Sequence, residues 1–247
     1  MVRRSTFSNR AQLYLTQLDA RDVPAGGVVA EQIGGTLFIT GDNFDNSVAV
    51  TANADGVKVE GIQTAINGTA GPAVFAGVAR IEVIGGDGDD HVQASLWQTV
   101  GELRIDTGSG RDAVSLITNS RSDVIIDTGD GADVVYVLSS GYDEANLQIV
   151  TGDGADRVGL NLRNHAWGAV RVDTGNGNDD VEAMFEASQS GGSLSIFTGN
   201  GNDTVTLHTT PGGVDVDLTI DGGHGVDSLF YNPYRFIGEL NVLNFEK

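Results

Sequence analysis

The chain has 247 residues, 35 of them glycine and 4 proline, and its acids outnumber its bases 34 to 14, a formal charge of −20. Collagen is excluded, since it needs glycine at every third residue and abundant proline, and a 40 % hydrophobic content opposes disorder. So acidic a chain repels nucleic acid and anionic membrane surfaces, and the lack of cysteine removes disulfides, thiol catalysis and thiolate-bound zinc.

In chain order, residues 1–30 read as a disordered leader or export segment. Arginines occur within Met1 to Ala20, but no continuous apolar run follows, so this is not a conventional signal peptide. No stretch of the chain approaches a membrane span, and no membrane insertion is expected. Residues 31–80 read as degenerate N-terminal coils of a repeat. Leu37, Ile39, Val48 and Val50 flank Asn46, with Gly41 and Phe44 in the turn. The 44 residues from Asn46 to Asp90 equal two periods of the repeat that follows, so Gly56 to Gly77 is expected to hold a further degenerate coil.

Residues 81–230 carry Gly-x-Gly-x-Asp seven times, ending at Asp90, Asp112, Asp133, Asp156, Asp179, Asp203 and Asp227, with steps of 21 to 24 residues. Nine residues before each aspartate stand Ile81, Leu103, Val124, Leu147, Val170, Leu194 and Leu218; seven before stand Val83, Ile105, Ile126, Ile149, Val172, Ile196 and Ile220. Two after stand Val92, Val114, Val135, Val158, Val181, Val205 and Leu229, and four after stand mostly small or branched apolar residues such as Leu116 and Val137. Each pair is spaced by two, the strand period, so each repeat reads as strand, glycine turn, strand and variable return loop. One repeat cannot bury its own apolar face, whereas stacked repeats can. The pattern therefore predicts an all-β, right-handed parallel β-solenoid, of β-roll or β-helix type, with coils of about 21–24 residues. Residues 231–247 read as a capping segment, in which Gly238 to Val242 repeats the start of a coil and Tyr231, Tyr234, Phe236 and Phe245 cover the last edge.

The aspartates form one column at a corner of every coil, and stacked carboxylates about 5 Å apart repel unless something positive lies between them. Calcium suits such a place, because it takes six to eight hard oxygen ligands from carboxylates and turn carbonyls. The turns resemble the calcium-binding nonapeptide of the repeats-in-toxin (RTX) family. That resemblance implies calcium shared between consecutive coils, with Asp90, Asp112, Asp133, Asp156, Asp179, Asp203 and Asp227 as ligands and Asp89, Asn178 and Asn202 as supporting oxygens. Here only one side of each coil carries such turns, and Arg111, Ala132, Ala155 and Val226 precede four of the aspartates where the family often has Asn or Asp. Asp and Asn also hold turns through their own backbone without metal. A second acidic column (Asp106, Asp127, Asp173, Asp221) is expected to point to solvent. Thr107, Thr128, Thr151, Thr174 and Thr198 are expected to make hydroxyl-backbone and cross-strand contacts. At the N-terminus, Leu15 to Ala25 resembles the segment that opens many exported planctomycete proteins, which implies an extracellular or cell-envelope location.

The combined expectation is a calcium-stabilised, non-enzymatic solenoid of an exported or cell-surface protein, monomeric in solution, with a surface glycan or protein as possible partner. Two alternatives stay open. One is a carbohydrate-active enzyme, similar in architecture to pectate lyases, using Arg111 or Arg157 beside the column aspartates; short turns leave it little cleft, and His91, His165, His208 and His224 lack triad or ligand spacing. The other is adhesion through the return loops, particularly His165-Ala166-Trp167.

Overall fold

The computed structural model describes residues 26–140, 145–163, 168–185, 190–209, 214–231, 236 and 238–246. Among these there is no helix, and the chain is a β-solenoid of stacked parallel coils. The alternation of branched apolar and polar residues lays one strand of every coil into each of two long sheets. The first sheet stacks Thr36–Thr40, Arg80–Asp87, Glu102–Gly110, Asp123–Asp127, Leu147–Val150, Ala169–Asp173, Ser190–Phe197, Asp215–Asp221 and Leu240–Leu243 in parallel. The second stacks Ser47–Asn53, His91–Leu96, Ala113–Thr118, Val134–Ser139, Arg157–Leu162, Asp180–Phe185, Thr204–Thr209 and Ser228–Phe230. Equivalent residues pair directly, as in Leu103↔Val124↔Leu147 and Val135↔Val158↔Val181.

The apolar columns face inward as their spacing predicts: Ile105, Ile126, Ile149, Val135, Val158 and Val181 are fully enclosed. The last coil departs from this, since Tyr231 is 37 % exposed and Val242 likewise. Phe236 packs edge-on against Phe185 with ring centroids 5.9 Å apart, and Phe236 and Phe245 lie against the core. Tyr234 lies outside the described residues.

The N-terminal end is built differently from the expectation. Asn46 and Asp90 sit on neighbouring coils, because Ser47–Asn53 pairs directly with His91–Leu96. The residues between are not a parallel coil. Gly56–Gly61 returns antiparallel on Ser47–Asn53, and Ala73–Phe75 runs antiparallel on Gly56–Gly61. On the other sheet Gly27–Ile33 folds back antiparallel on Thr36–Thr40. The described solenoid thus begins at Gly27, with Val28 and Ala30 already buried, inside the stretch expected as leader. Antiparallel strands at this end occupy the edge that parallel coils would otherwise leave open.

Candidate functional site: the aspartate ladder

Each turn opens where a first-sheet strand ends, and glycine is required there by contact as well as by dihedral. Gly131 has φ +154°, and a Cβ on it would stand 1.5 Å from the carbonyl oxygen of Gly110 one coil away. Gly199, at φ +84°, would put a Cβ 1.9 Å from the carbonyl oxygen of Gly175. Backbone therefore stacks on backbone through the turns, and the inter-coil hydrogen bonds continue straight through them. Gly131 N–H donates to the Asp153 carbonyl at 2.8 Å, Gly154 N–H to Asn176 at 2.7 Å, Gly177 N–H to Asn200 at 2.7 Å and His224 N–H to Gly199 at 2.7 Å.

The seven column aspartates turn inward from these corners and are no more than 2 % exposed. The Oδ1 of each accepts a hydrogen bond from the backbone N–H of the equivalent residue one coil toward the N-terminus. The distances are 2.7 Å for Asp90 N–H to Asp112, 2.8 Å for Asp112 to Asp133, and 2.9 Å for Asp133 to Asp156. They continue at 2.9 Å for Asp156 to Asp179, 2.9 Å for Asp179 to Asp203 and 2.8 Å for Asp203 to Asp227. Asn46 N–H opens the series on Asp90, and Asp227 N–H closes it on the Glu246 carboxylate. One rung per coil thus runs unbroken from end to end. In three coils the exposed residue before the aspartate binds in the opposite sense: Asp89 accepts from Arg111 N–H, Asn178 from Asn202 N–H, and Asn202 from Val226 N–H.

The other carboxylate oxygen is the unusual part. Oδ2 of all seven column aspartates is buried and has no hydrogen bond of ordinary geometry. Five residues before the aspartate, in five coils, stands a fully enclosed threonine whose hydroxyl lies beside the carboxyl. Four of these hydroxyls donate onward to the next coil: Thr107 to the Thr128 carbonyl at 3.4 Å, Thr151 to Thr174 at 3.5 Å, Thr174 to Thr198 at 3.3 Å and Thr198 to Gly222 at 3.0 Å, whereas the Thr128 hydroxyl makes no such bond. In the Asp90 coil glycine replaces the threonine, and a Cβ on Gly85 would fall 2.1 Å from Asp90 Oδ2. A void of about 10 Å³ lies there, bordered by Gly85, Asn46 and Asp90 but lined mainly by Val28, Ile39, Val48, Val83 and Val92.

Burial dominates the acidity of the column. Loss of hydration pushes Asp90 up to about 7, with the N–H of Asn46 opposing and the Asp112 charge adding. The same desolvation pushes Asp133 and Asp179 up to about 6, and also raises Asp112, Asp156 and Asp203, against the hydrogen bonds that pull them down.

The fit of these residues to calcium can be judged from the bonds already made. A shared ion would need carbonyl and carboxylate oxygens turned toward the interval between coils. That interval is bridged by N–H···O bonds of 2.7–2.9 Å from the turn glycines and the aspartates, so the carbonyls of Asp153, Asn176 and Asn200 and one oxygen of every column carboxylate are engaged. Among the described residues no group of three or more His, Asp or Glu is placed to hold a metal. In this arrangement the turns do not form a calcium cage.

The remaining candidates are dispersed. Asp106, Asp127, Asp173 and Asp221 line the outer face, Asp106 paired with Arg104 and Asp173 with Arg171; burial and the neighbouring Asp106 raise Asp127. Arg157 pairs with Asp180 at 2.8 Å, not with Asp133 or Asp179, and His208 meets Glu182 at 3.1 Å. His165, Ala166 and Trp167 lie outside the described residues. A cavity of about 290 Å³ lies away from the ladder, between Asn53 to Val57 and Gln98 to Val100, and Asp55 is the acid in its lining. No protein-family model matches the chain, and no curated protein and no solved structure matches it.

One functional residue escapes the repeat pattern, Glu246, which lacks a glycine turn before it; Asn46, which the pattern did place in the column, opens the ladder through its N–H. The threonine column was visible, but its proximity to the carboxyls was not.

Proposed function

We infer that the chain is a non-enzymatic structural β-solenoid, a rigid repeat scaffold of an exported or cell-surface protein. The observation that carries this is the ladder itself: one hydrogen bond per coil repeats from Asn46 to Glu246, and among the described residues no separate constellation of polar side chains interrupts it. A scaffold of this kind has interchangeable coils, as nearest-neighbour stacking requires. Export rests on the resemblance of Leu15 to Ala25, and calcium stabilisation, which the RTX resemblance implies, is the competing account of what neutralises the column.

Excision of Val135–Arg157, one whole period of 23 residues, joins Val134 to Val158 in register. The shortened chain is expected to melt cooperatively, with Tm lowered by a few degrees only. Loss of cooperative folding would show that the coils are not equivalent and would overturn the scaffold reading. A reporter fused behind residues 1–30 tests export: it is expected outside the cytoplasm, and cytoplasmic retention would remove that part of the proposal.

A further inference from the structure

The donors and acceptors inside each turn do not balance. Beside the ladder rung, a coil such as that of Asp179 offers two acceptors, the Asp179 Oδ2 and the next coil's Thr198 carbonyl. It has one hydroxyl proton to share between them, that of Thr174. With that proton on the carbonyl, the hydroxyl presents only lone pairs to the carboxylate. A buried acceptor without a donor costs about 1–3 kcal/mol, more when charged. The same shortage recurs where Thr107, Thr151 and Thr198 donate to Thr128, Thr174 and Gly222.

We propose that the aspartate column binds protons in place of calcium: in the coils of Asp112, Asp156, Asp179 and Asp203, whose threonine proton is committed to the next coil, Oδ2 carries a proton at mildly acidic pH and donates it to the threonine hydroxyl of its own coil. The relay then reads Asp O–H to Thr Oγ1, and Thr O–H to the carbonyl of the next coil, with every group satisfied. Asp90 Oδ1 and the other Oδ1 atoms keep their N–H donors throughout, so protonation leaves the ladder intact.

The charges around the column favour this. Asp45 acts on Asp90, Asp89 on Asp112, and column neighbours act on Asp133, Asp179 and Asp203, each raising its partner. Glu246 faces Asp227. Of the flanking residues on the second-sheet strands, Arg157 is exposed and paired with Asp180, while His91 and Asp180 are partly exposed. The Thr-bearing strands contribute Asp106, Asp127, Asp173 and Asp221 on their outer face.

A carboxyl whose folded value is raised stabilises the fold fully below its unfolded value and loses that contribution as pH rises through the folded value. For Asp133 and Asp179 the loss falls between about 4 and about 6, and for Asp90 it extends to about 7. The test is a set of thermal melts from pH 5 to pH 8.5 at fixed ionic strength in chelator, on the wild-type chain and Asp179→Asn, with infrared spectra of the wild type. Asparagine copies the protonated acid, because its NH₂ donates where the O–H would. Wild-type Tm is expected to rise by about 5 °C or more on acidification, and D179N to match or exceed wild type at pH 8 with a flatter profile. The infrared spectrum at pH 6 is expected to show a carboxylic-acid C=O band that vanishes on unfolding. Absence of that band, or a D179N chain destabilised at pH 8, would overturn the proposal. Recovery of Tm by calcium but not by ionic-strength-matched sodium would overturn it too; these outcomes leave the coil-excision result untouched.

Discussion

The two ends of each coil obey different rules. At the glycine-aspartate corner the stretch from Ile105 to Val114 repeats without insertion in every copy, whereas the steps of 21 to 24 residues arise wholly in the return loops, such as Thr118 to Asp123 and Ser139 to Ala145. The corner meets the coils above and below at Gly131 and at Asp133, and its backbones touch. Among the described residues the return loops share only a broken column, in which Asn146 N–H donates to Asp123, Ala169 N–H to Asn146 and Glu239 N–H to Asp217, while Ser120 and Ser122 bond to one another at 3.0 Å within a single loop. Length is conserved where each coil must dock on two others, and drifts where it need not.

This contrast can be broken at its strong end first. Gly131→Ala drives a methyl into the Gly110 carbonyl and forces two turns apart, so it is expected to cost more than about 4 kcal/mol and to abolish a cooperative melt above room temperature. Asp156→Ala removes one rung, leaving the Asp133 N–H buried without an acceptor. The expected loss is about 2–3 kcal/mol, read as a Tm drop of roughly 5–10 °C, and no loss would mean the rung is replaced by water. Thr151→Val keeps the shape and deletes a hydroxyl whose bond to Thr174 spans 3.5 Å; a loss of about 1 kcal/mol is expected in the thermal melt. A Gly-Ser insertion after Ser140, in a return loop, is expected to shift Tm by only a degree or two. The same insertion between Asp130 and Gly131 should behave like Gly131→Ala; equal effects at the two sites would erase the distinction.

Much of the architecture was legible because the relevant forces are periodic. Burial selects Ile105, Ile126 and Ile149 at one place in every coil, and the turn selects Gly-x-Gly at another, so the columns and the parallel stacking follow from spacing. The N-terminal end was not legible in that way. An interval of 44 residues matches two periods arithmetically, yet it holds an antiparallel insertion between adjacent coils, since Val57, Val59 and Ile66 bury themselves without a glycine-aspartate turn. The aspartate column was visible, but the direction of its carboxyls was not. An aspartate turned out to solvent and one turned in to a neighbour's N–H leave the same sequence, and only the stacking distance and the enclosed threonines decide between them. Glu246 was hidden for the opposite reason: it performs the column's task from a segment that lacks the column's motif.

The ladder's central claim is that side-chain carboxyls, without metal, hold the backbone amides of neighbouring coils. Amide hydrogen exchange in the presence of chelator reads those bonds individually. The N–H groups of Asp90, Asp112, Asp133, Asp156, Asp179 and Asp203 are expected to exchange as slowly as the core amides of Val135 and Val158, since each is buried and donates to the next coil at 2.7–2.9 Å. Fast exchange at these six amides in chelator, with protection gained only on adding calcium, would contradict the account.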